Sequence, residues 1–167
     1  YKTRVVNYMI REYSAGRTPN PDVMCNKEIK FGLFFEQAMA EGADYVATGH
    51  YARVARSRLL RAKDRNKYQS YFLWTLDQKH LAKTLFPIGE FESKTAVREY
   101  ARSKGLATAE KKDSQGVCFV GPIDVYEFLR GYIPAVPGPV VTVSGRRIGE
   151  HNGLPFYTIG QREGIGV

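Results

Sequence analysis

Cys25 and Cys118 are the only cysteines among 167 residues, and a thiol is the one side chain here that can both attack and carry sulfur. Cys25 closes the stretch Thr18-Pro19-Asn20-Pro21-Asp22-Val23-Met24-Cys25-Asn26. The two prolines fix φ and hold their predecessors extended, so the stretch is a stiff loop. The apolar spacing beyond it predicts a helix whose N-terminus lies at or near Cys25. Unpaired N–H groups, the helix dipole, Lys27 and Lys30 would all favour a thiolate there. Asp22, three residues earlier, is a proton acceptor or a group that polarises a bound substrate, or else only an N-cap. Cys25 is accordingly a nucleophile or a small packed hydrophobe.

Cys118 sits in Val117-Cys118-Phe119-Val120, between Gly116 and Gly121 and downstream of Lys111 and Lys112. It reads as an inert strand cysteine, or as the second thiol of a relay in which one sulfur is carried and the other cysteine resolves it by exchange. A relay needs the two Cα atoms to come within about 4.4–6.8 Å. No C-x-x-C occurs and the 3 histidines are scattered, which argues against a zinc site.

Three further features could surround these thiols. Thr48-Gly49-His50-Tyr51 follows a short apolar run, and ligands of open parallel sheets bind past the carboxyl ends of strands. Arg56, Arg58, Arg61, Lys63, Arg65 and Lys67 cluster against the single acid Asp64, and Tyr68, Tyr71, Phe72 and Trp74 follow at once. Basic side chains neutralise phosphates and aromatic faces stack on unpaired bases, so the cluster points to RNA rather than to a merely solvated rim. Gly160-Gln161-Arg162 offers one more backbone contact. The net charge of +8 agrees with a polyanionic partner.

The elements that must position these residues follow the grammar of an α/β layer. A helix over residues 1–14 ends at Ser14-Ala15-Gly16. Phe31, Phe34, Phe35, Ala38 and Met39 form one apolar helical face, ended by Gly42. Residues 44–48 read as a buried strand, residues 51–55 and 58–62 as a hairpin, and residues 68–76 and 79–85 as short helices. Ser93 is the expected N-cap of a helix over 94–104, with Val97, Tyr100 and Ala101 inward. Asp124 opens a helix to about Leu129, and residues 140–149 form a second hairpin. The domain boundary is placed at residue 121, with 1–121 α/β and 122–167 small and mostly β. With 43% apolar residues the chain can bury a core, and no apolar run reaches membrane-spanning length. The cysteine usage and the lack of a visible signal fit a reducing compartment, the cytoplasm or a mitochondrion. Both ends of the chain look cut, as in an internal fragment.

Several blocks together resemble one family. Residues 16–26, Ala47-Thr48-Gly49-His50-Tyr51, Gln69-Ser70-Tyr71-Phe72-Leu73, residues 112–121 and Thr158-Ile159-Gly160-Gln161-Arg162 are similar, in order, to the signatures of the tRNA-specific 2-thiouridylases. The resemblance implies the later part of a doubly wound, parallel-sheet N-type ATP pyrophosphatase domain and a truncated central domain. The family's N-terminal phosphate loop and C-terminal β-barrel would lie outside this chain, which alone is expected to be inactive. It implies ATP and Mg²⁺ as cofactors, with tRNA and a persulfide-donating sulfur-relay protein as partners. It further implies that ATP adenylates the C2 oxygen of the wobble uridine, that a persulfide on the residue matching the family's carrier, Cys118, supplies sulfur, and that Cys25 matches the nucleophile that releases it, the two being able to form a disulfide. Asn20, Pro21 and Asp22 match the target-base contact, Gly49 an ATP contact, and Lys67, Tyr68 and Gln69 a tRNA contact, to which the reading of the residues themselves adds Arg162. Tyr68 stands where the family usually has Asp. A tRNA-binding module without catalysis, or another ATP pyrophosphatase-type ligase, is the alternative reading.

Overall fold

A computed structural model describes residues 1–111 and 125–165. Packing divides the chain into two compact units, Asp22–Asp113 and Tyr1–Pro21 with Ser114–Val167. The first is an α/β domain with a parallel strand pair, and the β structure of the second is a small antiparallel sheet.

The Asp22–Asp113 unit is built around a helical rod. Pro21 opens α2 (Pro21–Cys25), where its missing N–H and fixed φ suit the first helical position. The rod continues as a π-wound stretch, Asn26–Phe34, and as α3 (Phe35–Ala40). Gly42, at φ +90°, ends it. Phe31 and Phe35 face inward and pack with Val46, Ala52, Leu73, Leu81 and Phe86.

Strand β1 (Val46–Ala47) pairs in parallel with β4 (Thr84–Leu85), Val46 opposite Thr84. Between them run the antiparallel hairpin β2 (Ala52–Ala55) and β3 (Arg58–Arg61), a 3₁₀ turn (Ser70–Leu73) and α4 (Gln78–Ala82). Arg56 and Ser57 form the hairpin tip, both with positive φ. A second 3₁₀ turn (Pro87–Glu90) and α5 (Lys94–Ser103) follow. The Ser93 side chain accepts from the N–H of Ala96, so the expected cap is in place.

Some expectations need correction. The helix expected over 79–85 stops at Ala82, because Thr84 and Leu85 enter the parallel pair. Residues 68–76 hold only one 3₁₀ turn. Tyr100 is exposed rather than inward, since the apolar side of α5 borders an open cavity of about 420 Å³.

In the other unit, a π-wound turn (Lys2–Val6) runs into α1 (Asn7–Ser14). Met9 of α1 packs against Leu129 of α6 (Val125–Arg130) and against Ile133, with Phe156 at the margin. Strands β5 (Gly138–Val141) and β6 (Arg147–His151) pair antiparallel with an irregularity at Val140/Val141. Segment 117–120 and the capping residue Asp124 lie outside the described residues.

Candidate functional site

Cys25 is completely buried. It does not sit at the helix N-terminus that its sequence position implies. Because Pro21 starts the helix, Cys25 is one turn inside it, where the dipole's pull on a thiolate has largely faded. Asp22 occupies the first turn, next to the positive end of that dipole. Lys27 lies 3.8 Å from Glu28, which offsets its charge. Cys118 lies outside the described residues, and these contain no disulfide.

Three of the motif blocks meet within the Asp22–Asp113 unit. Asn26, adjacent to Cys25, is buried and its Nδ2 donates to the Phe72 carbonyl at 3.3 Å. Phe72 belongs to the turn that follows Gln69. Gln69 in turn is clasped to Tyr51: its N–H donates to the Tyr51 carbonyl at 2.7 Å, and its Oε1 accepts from the Tyr51 N–H at 3.1 Å. The block Gln69–Leu73 therefore bridges Cys25-Asn26 and Thr48–Tyr51.

The Thr48–Tyr51 turn emerges from β1, and the Thr48 N–H still donates to the Leu85 carbonyl. An added Cβ at Gly49 would meet no atom of the described residues within 4 Å, so among them the backbone is open on that side. His50 points the other way, into the core, between Phe31 and Phe86 at ring distances of 6.0 and 6.3 Å. Its Nδ1 lies 2.9 Å from Thr48 Oγ1. Burial, helped by the charge of Lys30, pushes its pKa down to about 4, so the imidazole is neutral at pH 7.

Lys67, Tyr68 and Gln69 are ordered by a buried carboxylate. Asp64 Oδ1 accepts from the N–H groups of Asn66 and Lys67 at 2.8 and 3.1 Å, and its Oδ2 accepts from Lys94 N–H at 3.0 Å. Sequence reasoning read Asp64 as a lone acid in a basic run, whereas its role is to fold that run. The guanidinium of Arg61 stacks over Tyr68 at 4.1 Å, a contact that aspartate at this position could not make. Lys67 lies 5.3 Å from the Tyr51 ring centroid. Lys63 is engaged by Glu90 and Glu92, and Arg53 reaches Glu90 at 4.0 Å. Arg56, Arg58 and Arg65 make no ion pair among the described residues. The hairpin thus keeps uncompensated positive charge beside exposed Tyr71 and Trp74.

In the second unit, Thr18 Oγ1 donates to Thr158 Oγ1 at 3.2 Å, which joins the start of the proline loop to the block that holds Arg162. Gln161 closes a turn on Thr158 and leaves Arg162 exposed. Among the described residues no group of three His, Cys, Asp or Glu side chains could hold a metal. No described helix is long and apolar enough to cross a membrane.

Residues 1–122 match the family model described as the tRNA methyl transferase HUP domain, and residues 126–167 match the tRNA methyl transferase PRC-barrel domain. Relatives named tRNA-specific 2-thiouridylase MnmA include one from Streptococcus thermophilus, 57% identical over 172 residues, and one from Bordetella avium, 55% identical over 175 residues. Each alignment covers 100% of this chain but only 46% and 47% of the relative. The chain therefore spans about half the length of these relatives. It belongs to the tRNA methyl transferase HUP-domain family, whose MnmA members are its relatives.

Proposed function

We propose that this chain is the sulfur-transfer part of an ATP-dependent tRNA 2-thiouridylase. The observation that carries the reading is the identity of 57% along the whole chain to proteins of that name, together with the cysteine pair. The family description speaks of methyl transfer and the relatives' name of thiolation; sulfur delivery needs a carrier and a resolving nucleophile, which a cysteine pair can supply.

In this reading residues 1–121 form the later part of a doubly wound ATP pyrophosphatase domain, and residues 122–167 belong to the central domain. Asn20, Pro21 and Asp22 hold the target uridine. Lys67, Tyr68 and Gln69, with Arg162, hold the tRNA backbone. The open backbone face at Gly49 fits the approach of a flat adenine ring. ATP, when bound, supplies activation of the C2 oxygen as a leaving group. Mg²⁺ would arrive with the nucleotide's phosphates, its usual ligands in nucleotide sites.

Cys118 carries the persulfide, and its outer sulfur forms the bond to C2 as the C2–O bond breaks and the adenylated oxygen leaves as AMP. Cys25 then attacks the inner sulfur, the S–S bond to the transferred atom breaks, and a Cys25–Cys118 disulfide remains for a reductant to reopen. Cys25 is fully buried, so its attack requires the Cys118 sulfur to be brought to it. A persulfide-donating protein is the expected sulfur source, and the bacterial relatives favour the cytoplasm. The test is transfer of labelled sulfur from a persulfide donor to unmodified tRNA by the full-length gene product. Transfer that requires ATP is expected. Methyl incorporation from a methyl donor in its place would overturn the reading.

A further inference from the structure

The most unusual polar residue in the Asp22–Asp113 unit is Asn26. It follows Cys25 directly and is 2% exposed. Its Nδ2 donates to the carbonyl of Phe72, a residue 46 positions on. That contact fixes which end of the amide faces the carbonyl, since two oxygens would repel. Oδ1 is then buried with no hydrogen-bond donor among the described residues. A buried acceptor without a donor is destabilising, and an apolar side chain would carry no such penalty. Packing alone therefore does not account for asparagine at this position.

Its connection does. The segment that contains Lys67, Tyr68 and Gln69 is held at three points. Asp64 holds the N–H of Lys67, Tyr51 holds Gln69, and Asn26 holds Phe72. The third of these reaches from the residue beside the thiol to the turn beside the basic segment. A hydrogen bond of this kind sets a register that an apolar contact leaves free to slide.

We propose that Asn26 is a positioning residue. It sets the Cys25 thiol in register with the segment Lys67–Gln69, so that an RNA held by that segment presents its reacting base at a fixed distance from sulfur. This rests on reading Cys25 as the sulfur-transfer nucleophile and Lys67–Gln69 as an RNA contact.

The experiment is single-turnover sulfur transfer to tRNA by the full-length gene product, with tRNA affinity and thermal stability measured alongside. Asn26→Leu removes the donor and the buried acceptor together. The expected result is a rate lowered about a hundredfold, the usual consequence of a misplacement near 1 Å. The Kd for tRNA stays within about twofold, and Tm shifts by only a few degrees, since relief of the buried Oδ1 offsets part of the lost bond to Phe72. Asn26→Ser removes the amide without adding bulk and should give the same split if the leucine variant does not fold. A rate within threefold of wild type in a folded variant overturns the proposal. So does a parallel fall of rate, affinity and Tm, the mark of a merely structural residue. Cys25→Ser separates the levels. If it transfers sulfur normally, the underlying reading fails; if it is inactive while Asn26→Leu is active, only the positioning role fails.

Discussion

His50 makes a quantitative prediction about stability and pH. The imidazole is buried between Phe31 and Phe86, with Thr48 as its polar neighbour and the charge of Lys30 nearby. The unfolded chain binds a proton at the ordinary histidine pKa of 6.5, and the folded chain only near 4. Between these values unfolding takes up a proton, so stability falls as pH falls. Integration over this window gives a loss of about 2 kcal/mol from pH 7 to pH 5, and about 3 kcal/mol at pH 4. His50→Asn keeps a polar group for Thr48 but cannot titrate. His80 and His151 are present in both proteins and cancel in the comparison. The assay is urea denaturation at pH 7 and pH 5, followed by far-UV circular dichroism, because the single tryptophan, Trp74, is 72% exposed and a poor reporter of the core. Wild type should lose about 2 kcal/mol more than His50→Asn across that interval. Equal losses, or an NMR titration of His50 centred near 6.5, would refute the reasoning.

Other perturbations test the scaffold around the site. An added Cβ at Gly89 would lie 1.6 Å from the Ala52 carbonyl oxygen, and neither backbone can yield, so Gly89→Ala should cost about 3 kcal/mol or more in chemical denaturation. Asp64→Ala strips the acceptor from three N–H groups and should cost about 2–4 kcal/mol, with weaker tRNA binding measured in the same variant. Arg58→Ala and Arg65→Ala should each weaken tRNA binding and reduce the salt slope by about 1, whereas Arg53→Ala, already engaged by Glu90, should change it less.

Much of the local structure was legible because its causes are local. The inward packing of Phe31 and Phe35, the 52–61 hairpin, the Ser93 cap and the glycine stop at Gly42 all follow from residue type and spacing, whereas Phe34, expected on the same face, is exposed. The failures come from distance along the chain. Thr84 and Leu85 carry no strand signal of their own, and their partner Val46 lies far upstream. Cys25 was placed at a helix start because the prolines read as loop, yet Pro21 is itself the first helical residue. The site shows the same divide. The thiol, the Gly49 turn and the basic run are visible as residue types. The clasp of Gln69 on Tyr51, the fold-organising role of Asp64 and the Asn26–Phe72 bond are long-range pairings that no spacing rule reveals.

The central claim is that two cysteines pass sulfur to a tRNA base. Its most direct test is mass spectrometry of tRNA nucleosides from cells whose only copy of the full-length gene carries Cys25→Ser or Cys118→Ser. The account predicts that 2-thiouridine derivatives disappear in both variants while the protein is still made. Undiminished thiolation in either one would contradict it.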